Sequence, residues 1–132
     1  MLLSEIASFL EVKGIGIRGA DLFAGEIPAH APQTVVGLLE TGGGPPQFVH
    51  SQNQRLAEAP SFQVMVRSAD YEAAREKCEA IVRLLTLRNQ TLSGVRYHWI
   101  VPVQSPIDLG RDGNELHKVA CNFDVMKEPS PS

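Results

Sequence analysis

Positive charge is scarce for a protein that would grip nucleic acid. The 132-residue chain carries 12 Lys and Arg against 15 Asp and Glu, a net charge of −3. That balance gives no general attraction to phosphate backbones or anionic membranes. No apolar run approaches the ~20 residues needed to cross a bilayer. The start, Met1-Leu-Leu-Ser-Glu5, meets an acid where a secretory signal would be basic. It predicts a product that stays in the cytoplasm where it is made. Cysteine is sparse as well. Cys78 and Cys121, one on a helix face and one in a strand, read as small buried apolar groups instead of a disulfide or redox pair. Internal repeats and low-complexity segments are missing. The length predicts one domain over 1–128, followed by Pro129-Ser-Pro-Ser132 as a disordered tail with nothing to bury.

Signatures of chemistry are equally thin. His30, His50, His98 and His117 are scattered, with no HxxxH or HExxH and no thiolate partner close in sequence. Asp108, Asp112 and Glu115 lack the alternate spacing of a calcium loop. They read as a solvated hairpin loop. No GxSxG marks a nucleophile. Gly14-Ile-Gly-Ile-Arg-Gly19 matches GxGxxG, with Glu40 at a plausible distance for a ribose contact. That motif needs a strand before it and a helix starting within it, so that the helix N-terminus faces the pyrophosphate. Here an amphipathic helix precedes it, and Gly25 and Pro28 interrupt any helix after it. Thr41-Gly-Gly-Gly-Pro-Pro46 lacks a phosphate-reaching Lys and has prolines where N–H donors would be needed, so it reads as a flexible loop. No catalytic residue, metal or cofactor is expected.

What the chain does contain is organised around residues 61–88. Phe62, Val64 and Val66 alternate with Gln63, Met65 and Arg67, the period of a half-buried strand. The period then changes. Tyr71, Ala74, Cys78, Ile81, Val82 and Leu85 share one helical arc, with Glu72, Arg75, Glu76, Glu79 and Arg83 opposite. Ser68 or Asp70 caps the first turn, and Glu79 to Arg83 offers an i,i+4 pair. Leu84 and Leu87 lie off the apolar arc: either the next loop covers them or a partner does.

Around this unit, Leu2, Leu3, Ile6, Phe9 and Leu10 form one face of a first helix that ends near Gly14. Ile15–Phe23 holds one short strand at most. Thr34–Glu40 is a continuous apolar run, expected as a strand covered on both faces or pairing with a neighbouring subunit. A long polar loop runs from Thr41 to Pro60, and loops of that length are functional or mobile. Val95–Val103 alternates strongly, with Pro102 placing it at an edge or ending it early. Residues 105–114 form a second loop. Val119, Cys121, Phe123 and Val125 make the last strand, antiparallel to the one before because no crossover helix joins them. The expectation is α+β: a two-layer sandwich with a four- to five-stranded, mostly antiparallel sheet and two helices on one face.

Several segments, taken in order, resemble the tail-terminator (minor capsid, tail-completion) proteins of long-tailed bacteriophages and related phage-derived particles. They are the N-terminal helix, the apolar strand into Glu40-Thr-Gly-Gly-Gly-Pro-Pro46, and Ser61-Phe-Gln-Val-Met-Val-Arg-Ser-Ala-Asp-Tyr-Glu-Ala-Ala74. Pro106-Ile-Asp-Leu-Gly-Arg-Asp112 and Ala120-Cys-Asn-Phe-Asp-Val125 complete the set. The resemblance implies a non-enzymatic virion protein, made in the host cytoplasm, that forms a hexameric ring. The ring would cap the head-proximal end of the tail tube, halt polymerisation and meet the head-tail connector or stopper. DNA would pass through without specific binding and no membrane would be involved. On that reading Arg111 with Asp112, Arg67 with Asp70, and Leu84 with Leu87 would sit between subunits, local turn bonding being the plainer role for the charged four. Gly42, Gly43, Gly44, Pro45 and Pro46 would contact tube or connector. Two alternatives remain: a head-completion or stopper protein of the neck, and a small nucleotide-binding enzyme using Gly14–Gly19.

Overall fold

A computed structural model of the chain describes residues 2–48, 55–111 and 115–128, with backbone alone for 43–48 and 55–57. Two helices and seven strands follow one another as α1 (Leu2–Val12), β1 (Leu22–Ala24), β2 (Val35–Phe48), β3 (Arg55–Ser68), α2 (Tyr71–Leu85), β4 (Leu87–Leu92), β5 (Val95–Pro102), β6 (Ile107–Arg111) and β7 (His117–Lys127). The sheet order is β1-β2-β3-β7-β5-β4, with β6 paired to β7 beside the end of β5. β1 runs parallel to β2 and the other pairs are antiparallel, so the sheet is mixed.

The α+β class stands, but the expected four to five strands are too few. Three segments without period-two patterning, β1, β4 and β6, are held by ladder hydrogen bonds to stronger neighbours. Backbone pairing decides strand state where side chains do not. β5 ends at Pro102 as the proline predicts, although β4 covers the edge that the sequence left open.

The core follows the alternation read from the sequence. Val36 pairs with Val66 and Leu38 with Val64; Val64 faces Cys121, Val66 faces Val119, and Val125 faces Ile100. All point inward and are buried. Phe62 and Phe123, also cross-strand partners, stack with ring centroids 5.1 Å apart. β2 is covered on both faces over residues 35–38, as expected, with Val36 and Leu38 inward and Val35 and Gly37 buried on the other face, whereas Leu39 is 54% exposed and opens the outer face.

α2 lays Ala74, Cys78, Ile81 and Leu85 on this surface. Burying side chains of the Ile and Leu size contributes roughly 1.5–3 kcal/mol each. Asp70 is its N-cap, accepting from Glu72 N at 3.1 Å, while Ser68 Oγ accepts from Asp70 N. The helix stops at Leu85, with Thr86 as C-cap, and Leu87 opens β4. The ion pair on its outer side is Arg75–Glu79 at 3.3 Å, one turn earlier than the expected Glu79–Arg83.

α1 packs on β1 and β2 at one end of the strand order and on β4 at the other. The sheet is curled around its helices, and α1 lies across the gap between its ends. Its C-terminus is a Schellman turn: Ile15 N donates to Leu10 O and Gly14 N to Glu11 O, with Gly14 at φ +82°. No helix follows. The GxGxxG stretch is a helix stop and a turn into β1, which removes the geometry that dinucleotide binding requires.

Candidate assembly surface

The largest departure from expectation is the segment after Glu40. It is strand, not loop. Gly42 pairs with Ser61, Gly43 with Pro60, Gly44 with Ala59, Gln47 with Ala57 and Phe48 with Arg55. Register shifts between Glu40 and Gly42, and again between Gly44 and Phe48, mark bulges where the glycines and prolines are accommodated. Gly42 takes φ +106°, which a side chain would resist. Turn-forming composition is overridden because a regular strand opposite supplies the partners. β1 reaches β2 only at residues 36–38, and Glu58 is the most N-terminal β3 residue paired with β7. Beyond Glu58, where Gln47 pairs with Ala57 and Phe48 with Arg55, β2 and β3 continue as a two-stranded arm past the body of the sheet. Residues 49–54 lie outside the described residues, as do the tail expected at 129–132 and the expected contact residue Asp112.

The sheet face away from the helices is uncovered over much of its width. Its centre is polar: Ser61 Oγ donates to Asp124 Oδ1 at 2.8 Å, and Gln63 Nε2 donates to Asn122 Oδ1 at 3.2 Å. Beside these rows lies a groove of about 280 Å³ lined by Ile27, Leu39, Met65, Leu109 and Lys118 among others. Ile27 folds over the sheet at Gly37, where an added Cβ would meet its Cδ1 at 2.8 Å. β6 is exposed at all five positions, with Ile107 43% and Leu109 49% exposed, and among the described residues it pairs only with β7. The second loop read from the sequence is therefore partly an edge strand. Asp108 Oδ1 accepts from Gly110 N at 2.7 Å and shapes its bulge. Open strand edges template further pairing.

The other expected contact residues are placed as follows. Arg67 spends its guanidinium on the chain, donating to Pro32 O at 3.0 Å and Gln33 O at 3.4 Å. Asp70 caps α2, so within the subunit each bonds to its own neighbouring backbone and the two are not paired with each other. Arg111 forms an exposed ion pair with Glu115 at 2.8 Å at the end of β6. Leu84 is half-buried in the last turn of α2, and Leu87 packs against the core.

One polar constellation was not anticipated. Glu5 Oε1 accepts from Tyr97 Oη at 2.6 Å and from Lys127 Nζ at 2.9 Å, and Lys127 Nζ stands 5.3 Å from the centre of the Tyr97 ring. Glu5 and Lys127 are only 6% and 2% exposed. Burial, followed by the hydrogen bond to Glu5, pushes the Tyr97 phenol well above its usual range. The signals were present: Glu5 falls on the stripe of Leu2, Ile6 and Phe9, and Lys127 continues the inward alternation of Val119 to Val125. Burial also raises the Cys78 thiol to about 12 and raises Cys121, whose Sγ donates to Gln104 O at 3.0 Å. Among the described residues no group of three or more His, Cys, Asp or Glu is placed to hold a metal ion.

A family model described as bacteriophage tail terminator protein matches residues 9–127. A chain in the virion of a native gene transfer agent particle shares the fold, with a TM-score of 0.67 over 97% of this chain and 95% of that one. Sequence identity across the superposition is 15%, so that likeness speaks for the fold. No curated protein sequence matches the chain.

Proposed function

The chain belongs to the bacteriophage tail terminator family, and from that premise we propose that it assembles as a hexameric ring on the head-proximal end of a tail tube. It is a structural protein of a phage-type tail. The observation that carries the finer reading is the family match over residues 9–127 on a subunit whose sheet extends past its core as an arm. A two-stranded ribbon is marginal in water without further support. Docked on the tube or the connector, the arm and the Gly42–Pro46 segment leading into it gain that support.

Around the ring, Arg111 at the end of β6 and Asp112 after it in sequence contact the adjacent subunit, as do Leu84 and Leu87 beside the end of α2. Arg67 and Asp70 shape that interface indirectly by holding the strand–helix turn. A heterologous contact whose rotation closes makes a finite ring, so tube growth stops instead of continuing as a filament. A net charge of −3 leaves the lumen without strong attraction for passing DNA. No step of this work requires catalysis or a cofactor.

Electron microscopy of a lysate in which this gene carries an early stop codon tests the proposal. Overlong tubes and unjoined, DNA-filled heads are expected. Tubes of normal length with empty or leaking heads would move the protein to the neck, and ordinary virions would end the structural reading.

A further inference from the structure

The inner face of the sheet does not end in apolar side chains. Its last row, read across β3, β7 and β5, is Glu58, Lys127 and Tyr97, each a register partner of the next. Glu5 of α1 lands on this row, its Oε1 2.9 Å from Lys127 Nζ and 2.6 Å from Tyr97 Oη. The row also marks a boundary. Glu58–Lys127 is the outermost pair between β3 and β7, and beyond it Ala57 and Arg55 pair with β2. The ammonium held by the carboxylate of the first helix is thus carried by the residue whose register partner, at the root of the arm, is Glu58.

We infer that Glu5, Lys127 and Glu58 form a latch that ties the root of the β2–β3 arm to α1, making Lys127 and Glu58 positioning residues for the arm. The physical reason is the strictness of buried charge. An apolar contact tolerates sliding, whereas an ammonium out of water must keep its acceptors within hydrogen-bond distance. An ammonium has three donors, enough to engage both carboxylates. The Glu58 charge also acts on Tyr97, helping to hold its phenol neutral, which places Glu58 in the field of the cluster. Glu5 reaches Lys127 from a helix that spans both ends of the sheet, so the arm's departure is referred to the whole curl and not to one neighbouring strand. That the arm is what grips tube or connector rests on the function proposed above; the latch itself is a property of the free subunit.

Hydrogen exchange on the free subunit tests it, in two variants. Glu58→Gln keeps size and hydrogen-bonding capacity but removes the charge. Glu5→Gln with Lys127→Met and Glu58→Gln empties the row of charge without leaving an unpaired ion. Both are expected to speed exchange at the amides of Ala57, Arg55, Gln47 and Phe48, which pair with one another beyond Glu58, by roughly ten- to a hundredfold, the scale of one charge-assisted hydrogen bond. The amides of Val64 and Val66 should keep their protection. Unchanged arm exchange in both variants would overturn the latch. So would an equal loss of protection along the whole of β3, which is what a merely structural role predicts. Arm amides already unprotected in the parent protein would overturn it too. Tube capping is read separately: a latch that fails by exchange while the gene-stop phenotype holds leaves the proposed function standing.

Discussion

Lys127 Nζ lies 2.9 Å from Glu5 Oε1, closing an ion pair between the last strand and the first helix with both side chains almost fully buried. Residues 122 positions apart are thereby joined at the seam of the curled sheet. Truncating one partner strands the other charge. Lys127→Ala is expected to lower stability by about 3–5 kcal/mol, whereas Glu5→Gln combined with Lys127→Met should be near neutral. Urea titrations of both variants check this, and an equal loss in the two would mean that packing volume, not charge, dominates.

The buried thiols and phenol set a limit on the alkaline side. Each has a folded-state pKa raised by burial, Cys78 to about 12 and Tyr97 in the same direction. Above the unfolded values the unfolded chain releases protons that the folded chain retains, so stability falls as pH rises. Their contribution is complete below about pH 8.5, near an ordinary thiol pKa, and declines as pH rises towards 12. Urea midpoints should hold from pH 7 to 8 and then drop steadily. Cys78→Ala should flatten that slope, and a parallel slope in the variant would remove Cys78 as a cause.

Asp70 is a capping residue, and its effect is local. Removing its carboxylate leaves Glu72 N–H without the acceptor now 3.1 Å away. Asp70→Ala should cost about 1 kcal/mol. A shift in the denaturation midpoint with an unchanged slope is the expected signature. No shift would show that water or Ser68 replaces the cap.

The arm is separable from the core because its outer portion pairs only within itself. Replacing residues 45–58 by a two-residue Asn-Gly turn between Gly44 and Ala59 supplies a favoured hairpin connection. The shortened subunit should fold, with the far-UV spectrum of the parent minus a small strand contribution. In a complementation assay it should fail to stop tube growth. Tubes of normal length would assign the capping contact elsewhere, β6 being the next surface to alter.

Much of the fold was legible where side chains alternate strongly. Phe62, Val64 and Val66, the arc from Tyr71 to Leu85, and Val119 to Val125 each carry a period that only one secondary structure satisfies. The helix stop at Gly14 and the cap at Asp70 were readable for the same local reason. β4 and β6 were not, because their middle residues are exposed on both faces and no burial period is written into them. At the candidate site, Gly42–Pro46 could be singled out, but its state was misjudged: glycine and proline report on turn preference and carry no information about a distant strand. Lys127 was passed over because a charge at the end of a pattern reads as the end of the pattern.

The sequence by itself determined which faces are apolar and where α2 begins. Those are local matters of side-chain period and capping. Tertiary structure alone decided that residues 42–48 are strand, since their ladder partners lie across the hairpin. It alone decided that Glu5 and Lys127 can be buried as charges, because each is tolerable only where the fold brings the other within 2.9 Å.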